Sequence, residues 1–426
     1  MQKPDKKRKI TENILAMEIW IAGFVVLLSM ASVRTLGAGA VILGVFWIAR
    51  VLLTGRLTRR TLSDFGVLVL LMTIPLSLWA TAFPEETKPQ LLRLILGILF
   101  YYAIVNWAQS EKRLKLVVTS LIAGGTGLLG FALVSVKWVT HKLPFLPPAL
   151  YDKFGLLVTD TIHPNVLAGT LVLIVPVAFA LLFFSPKRIH WVIKLLAGIM
   201  AAGSLGALLL TQSRGAMIAL AAALGVLVCL RWRLGWIIIP LGAIFMGVVI
   251  YQAGVGRMLD FVSANQTLNG LDGRIEIWSR ALAMIRDFPF TGIGMGTFGK
   301  VADLLYPYYS ALPGTVEHAH NLFLQVAVDL GLPGLIAWLS ILLGAIGNAW
   351  RLFRLGKASG NGFQTALGAG LLASQAALVT HGTMDAVTWG MVKPAPLVWA
   401  LWGIAAAGVL NLGRMEKEKG SSGIGR

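Results

Sequence analysis

Between Leu195 and Leu230 the chain is almost unbroken apolar sequence, and this run constrains the fold more than any other feature. As one helix its 36 residues would extend about 54 Å at 1.5 Å per residue. A hydrocarbon core is only about 30 Å thick, so the chain must turn, and Gln212-Ser213-Arg214-Gly215 is the polar place to do it. The same reading along the chain gives twelve candidate spans: 13–31, 36–55, 65–83, 91–108, 116–136, 165–184, 191–211, 215–231, 234–251, 331–350, 364–382 and 395–413. Composition agrees. The 426 residues are 57% apolar and 13% charged, against about 45–50% and about 25% in soluble domains. A soluble multi-domain enzyme and a disordered chain are excluded. The expected fold class is an all-α polytopic membrane protein of about 12 transmembrane helices, 1–426 forming a single integral membrane domain.

The net charge of +18 would point to nucleic acid in a soluble protein, but topology accounts for it. Of the 37 Lys and Arg, 24 fall in segments 1–12, 50–60, 109–115, 185–194, 231–233, 351–357 and 414–426, all on one side of the twelve spans. The positive-inside rule makes that side cytoplasmic, so both tails, 1–12 and 414–426, are expected there. Twelve of the 19 acids lie on the other side. No nucleic-acid partner is expected. The basic start leads into a full span with no small-residue cleavage site, which reads as a retained first helix. Cys229, the single cysteine, excludes a disulfide framework. Trp107, Trp138, Trp191, Trp232, Trp338 and Trp350 sit near span ends, as an aromatic belt should.

The outward face has two substantial loops, 137–164 and 252–330, the second lying between spans 9 and 10 with room for a helical element. Asp272 can cap a helix there. Ile275, Trp278, Leu282 and Ile285 share one face at helical spacing, giving an amphipathic helix on the membrane surface with Arg274 at its start and Pro289 after its end. A second helix is expected from about Glu317–Asn321 to Gly331, with Gly331 as C-cap and Pro333 in the first turn of the next span. Arg214 occupies the outer tip of an apolar hairpin, where a guanidinium is expensive and marks a candidate site; snorkelling to lipid phosphate is the other reading. Arg274 alone also suits a solvated helix face, and His320 alone a structural histidine. Together they suggest chemistry: two planar guanidinium groups match a diphosphate, and an imidazole suits a general base for a hydroxyl. His318-Ala319-His320 lacks an obvious third ligand beyond Glu317, so no metal site is expected.

These residues carry a family resemblance. Thr211-Gln212-Ser213-Arg214-Gly215, Gly273-Arg274-Ile275-Glu276-Ile277-Trp278, Pro289-Phe290-Thr291-Gly292-Ile293-Gly294-Met295-Gly296 and His318-Ala319-His320-Asn321 resemble the O-antigen ligase and polymerase superfamily. His320-Asn321, nine residues, then Gly331-Leu332-Pro333-Gly334 is similar to the ligase-type pattern, and His163-Pro164-Asn165 to the start of the family's sixth span. The ordered set covers roughly 160–335.

The resemblance implies a membrane-embedded glycosyltransferase fold of the GT-C kind in the bacterial inner (cytoplasmic) membrane, with its active site facing the periplasm or exterior. It implies an inverting, metal-independent transferase with no cofactor. The donor would be a glycan on undecaprenyl diphosphate, and the acceptor a hydroxyl of lipid A core or another glycan, among membrane lipids. A repeat-unit polymerase is the alternative within the family, and a transporter or flippase for an anionic lipid-linked substrate the alternative outside it. Carried over by motif, His320 is the base and Arg214 and Arg274 hold the diphosphate. Asn321, His318, Asn165, Arg93 and Arg280 are candidate substrate contacts. Among other outward cations, Arg257, Arg286 and Lys300 suit headgroup or solvent contact. Metal-dependent relatives carry acids in the first external loop, and 31–35 has none. His381, Asp385 and Lys393 flank the last external loop.

Overall fold

The computed structural model describes residues 6–138, 162–184, 189–237, 240–242, 244, 248, 271–309, 314–390 and 395–423. They form thirteen helices: α1 Lys6–Ala31, α2 Thr35–Thr54, α3 Asp64–Ala80, α4 Pro84–Trp107, α5 Glu111–Ser135, α6 Pro164–Phe183, α7 Trp191–Thr211, α8 Arg214–Arg231, α9 Leu271–Asp287, α10 Phe298–Leu305, α11 Leu322–Ala358, α12 Gly362–Gly382 and α13 Ala395–Gly423. Eight are long and apolar enough to cross a membrane, and α1 and α3 contain shorter apolar stretches. Eleven of the expected spans coincide with helices; the twelfth, 234–251, lies mostly outside the described residues, as do Arg257, Lys393 and most of the 137–164 loop. The chain is an all-helical, polytopic integral membrane protein.

Its surface explains why. Leu52, Trp79 and Phe65 are 80%, 79% and 75% exposed. In water each would forfeit about 1.5–3 kcal/mol of burial, and so many exposed apolar side chains are affordable only against lipid.

The turn in the long apolar run falls where the polar tetrapeptide sits. α7 ends at Thr211, Gln212 takes a left-handed φ of 51° as its C-cap, and α8 starts at Arg214. α12 is the hub, packed on α11, α6 and α8, while α13 lies on α4 and α11 lies on α3. Its small residues permit this: a Cβ on Gly368 would strike the Phe353 backbone and one on Gly370 the Val177 backbone. α1, α2 and α4 enclose a smaller core around Leu36, Leu43 and Leu96.

α9, α10 and the first turns of α11 form a third core. Here the structure adds a second apolar face to α9. Ile277, Ala281 and Met284 are the buried residues, while Ile275 and Leu282 are 55% and 57% exposed and Trp278 and Ile285 pack at the margin. The helix has two apolar stripes, and tertiary packing selected the smaller-residue one, which lets α9 approach α11 closely. The Asp272 side chain lies outside what the structure describes. Trp338 is corrected: it is 2% exposed and packs on Phe323, Trp389 and Trp402, so it belongs to the core. Trp191, Trp232 and Trp350 keep 67%, 49% and 44% exposure, consistent with a belt.

The Gly331 expectation is met as a sharp kink. α11 breaks there at φ 71°, ψ 179°. A Cβ at this position would also meet the Phe290 carbonyl oxygen at 2.6 Å. Only glycine satisfies both conditions, and the Leu332 N–H then bonds the Pro289 carbonyl at 2.7 Å. The kink sets the first turns of α11, with the histidines before them, apart from the longer span that follows.

Candidate active site

Four helix starts converge on the short loop that follows α12. At α11, Asn321 is the N-cap: its Oδ1 accepts from the Phe323 and Leu324 N–H groups at 3.0 and 3.1 Å, as an Asx cap should. Its Nδ2 donates to the Thr383 carbonyl at 3.3 Å. At α8, Gly215 lies against Met384, leaving 3.1 Å for a Cβ. From the first turns of α9, the Arg274 guanidinium donates to the Met384 carbonyl. At α6, Gly169 sits under His381 and Val387, and the N-cap His163 accepts the Asn165 N–H at 3.2 Å. Helix starts carry unpaired N–H groups and partial positive charge. Their convergence with Arg214 and Arg274 on the loop around Asp385 builds a donor-rich site suited to an anion.

Asp385 is its centre. The carboxylate oxygen Oδ1 lies 3.9 Å from both His318 Nε2 and His320 Nδ1, and the two imidazoles are 4.2 Å apart between centroids. Burial pushes the Asp385 carboxyl up, but His318, His320, His381 and Arg274 around it outweigh that and hold it below the usual carboxylate range. For His320 the balance goes the other way. Burial, then His318, with Arg274 and His163 adding, pushes its imidazole down to about 4 against the pull of Asp385. His320 is therefore neutral at neutral pH, with a lone pair to accept a proton. Its Nδ1 faces the carboxylate, which favours the proton there and leaves Nε2 as the accepting atom.

The backbone at His320 is strained. Its φ is 47°, a left-handed conformation that costs a non-glycine residue about 1–3 kcal/mol. The His320 N–H to His318 Nδ1 bond at 3.2 Å and the Asn321 cap hold the turn.

His318, His320 and Asp385 offer ligand atoms within 4.8 Å of one another, a spacing that a divalent ion could bridge. The hydrogen bond accepted by His318 Nδ1 places the His318 proton on Nε2, the atom that faces Asp385. Asp385 is thus the third potential ligand that the residues beside His318 and His320 in sequence did not supply.

Of the residues singled out in the sequence, His318, His320, Asn321 and Arg274 are brought together by these contacts, and Arg214 opens the helix that abuts Met384. Asn165 lies in the first turn of α6. Arg93 stands to one side: it donates to Gln90 Oε1 at 3.0 Å and lines a small cavity with Thr388, Trp389 and Gly390. Arg280 is turned away, paired with Glu276 at 3.7 Å and stacked 4.9 Å over Tyr309. Six positions past Arg274 is about 240° round the helix, so the two cannot face the same site. Lys300 pairs with Glu86 at 2.6 Å. The central role of Asp385 was not readable from its sequence neighbourhood; the only signal was an acid amid the apolar residues after His381.

Residues 199–339 match the family profile described as O-antigen ligase. That segment is similar to the O-antigen ligase family. The match runs from α7, across the Arg214 turn and Arg274, through His320 and the Gly331 kink, and so contains every element of the pocket except α6 and the Asp385 loop. No curated protein matches the chain.

Proposed function

We propose that this protein is an inverting, metal-independent glycosyltransferase that moves a glycan from undecaprenyl diphosphate to an acceptor hydroxyl, in the manner of an O-antigen ligase. The observation that carries the proposal is the pocket's charge: one carboxylate ringed by Arg274, three histidines and converging helix starts, beside Arg214. With His320 neutral, the positive character comes from Arg274, Arg214 and the helix starts, and a diphosphate is an anion that such groups hold.

In this reading Arg214 and Arg274 hold the diphosphate bidentately. His320 Nε2 takes the proton from the acceptor hydroxyl as its oxygen attacks the anomeric carbon from the face opposite the leaving group. The bond from that carbon to the diphosphate oxygen breaks, and polyprenyl diphosphate leaves with the electron pair. Asp385 stabilises the imidazolium that forms. The bound diphosphate also neutralises Arg274, which removes part of what depresses His320 and makes it a better base when the donor is present. A positioned base contributes about 10²–10⁴-fold, and a preorganised donor to the developing charge about 3–4 kcal/mol.

An apolar cavity of about 790 Å³ between α1, α4, α5, α6 and α13 suits the polyprenyl chain. Ile162 and Val166 line it, close in sequence to His163, whose charge is felt by His320. We place the protein in the cytoplasmic membrane with both tails cytoplasmic, the 252–330 loop and pocket outside, and the fold among GT-C enzymes.

Reconstitution with a defined undecaprenyl-diphosphate glycan and a choice of acceptors tests the proposal. Glycan moved to a lipid A core acceptor identifies a ligase, and repeats extended on the carrier a polymerase. Movement of the donor across the bilayer without transfer would replace the enzyme reading with a flippase.

A further inference from the structure

Beneath the His318–His320 turn lies a second, fully buried carboxyl, Asp329, which the transfer chemistry does not use. Its Oδ1 accepts from Gln325 Nε2 at 2.9 Å and from the Gly296 N–H at 3.3 Å. Its Oδ2 accepts the Trp389 indole N–H at 2.8 Å. Gln325 is 1% exposed and spans two partners, because its Oε1 accepts the Ala319 N–H at 2.7 Å.

The positions at the ends of this chain of bonds matter. Ala319 is the residue between the two histidines, and Trp389 follows Asp385 on the same short loop. The connection therefore runs from the strained His320 turn, through Gln325 and Asp329, to the loop that presents Asp385. It also reaches Gly296, whose φ of 83° and close approach to Gln90 bend the 292–297 segment round the carboxyl. A buried polar chain in an apolar core costs stability unless each member is satisfied, and here each donor nitrogen named has an acceptor.

We propose that Asp329, acting through Gln325 and Trp389, is a positioning residue that fixes the spacing between His320 and Asp385. This rests on His320 being the base of the proposed transfer. Both oxygens of Asp329 accept, so the Asp329→Asn substitution turns one of them into a donor aimed at an N–H. The turn and the loop then lose their common anchor while side-chain volume is kept. Displacements of about 1 Å at a reacting group cost roughly 10²-fold.

The test uses the full-length protein in vesicles of bacterial lipid, comparing wild type, Asp329→Asn, and Asp329→Asn combined with Gln325→Glu. The double change restores one donor facing one acceptor between positions 325 and 329. Expected for Asp329→Asn are a kcat lowered about 10–100-fold with donor KM within about twofold, a displaced acid limb of kcat/KM, and an altered rate of His320 acylation by diethyl pyrocarbonate, read by peptide mass spectrometry. The double variant should recover most of the acylation rate and part of kcat. Wild-type kcat and wild-type His320 acylation in a folded Asp329→Asn protein would overturn the inference, as would uniform loss of folded protein with no recovery in the double variant. A wild type that transfers no glycan would instead defeat the proposed function, and the acylation rates would still judge the positioning.

Discussion

Two charge clusters among the described residues of this apolar bundle are built on opposite principles. Between α1 and α2, Glu18 and Arg50 are 1% and 7% exposed and form a direct ion pair, one anion for one cation, with each charge answered within the protein. At the loop after α12, one carboxylate faces two histidines at 3.9 Å, with Arg274 and His381 also felt by it. The first cluster is electrostatically closed; the second adds the positive ends of converging helices to Arg274 around its one carboxylate. Burying charge is expensive in either case, so a closed pair acts as a staple, whereas a donor-rich cluster is suited to receive an anion.

The comparison predicts that substitutions in the second cluster change chemistry and those in the first change stability. The largest effect is expected from His320→Ala, which should lower transfer by about 10²–10⁴-fold with the protein still folded and inserted; full activity, measured by product formation in vesicles, would remove the base assignment. Next comes Asp385→Asn, with kcat down about 10–10³-fold. Asp385 raises the His320 pKa from what burial and its cationic neighbours set. Removing that charge should therefore move the acid limb of kcat/KM further down, below the wild-type value near pH 4, where protonation of His320 removes the accepting lone pair. A limb that moves upward would contradict the pairing. Glu18→Ala should cost about 3–5 kcal/mol by stranding Arg50, read as a lower unfolding temperature, with donor KM unchanged. A changed KM would mean that the two clusters are coupled. The smallest effect is expected from EDTA, which should leave transfer intact; loss restored by Mg²⁺ or Mn²⁺ would bring the His318–His320–Asp385 trio back as a metal centre.

The two clusters also differ in how far the sequence disclosed them. Span positions were legible because hydropathy is a property of contiguous residues, and the turn at Gln212–Arg214 followed from length together with the one polar tetrapeptide in the run. His320, Arg214 and Arg274 were legible as costly polar residues on apolar elements and as family motifs. Asp385 was named only as flanking a loop, because its contact with His320 joins the far end of α12 to the start of α11. Such pairing is decided by helix packing. Arg280 shows the converse: its charge and its neighbourhood were readable, but helical phase turns it onto Glu276 and Tyr309. For α9, the pattern gave the Ile275–Ile285 stripe, and only the approach to α11 disclosed the buried one of Ile277, Ala281 and Met284.

The anion affinity of the second cluster is most directly tested by binding of undecaprenyl diphosphate, without a glycan, to the Arg214→Ala/Arg274→Ala double variant in detergent or nanodiscs. The account predicts affinity at least about 100-fold weaker than wild type, with folding retained, since each charge-assisted donor contributes about 1.5–3 kcal/mol. Wild-type affinity in the double variant would contradict it.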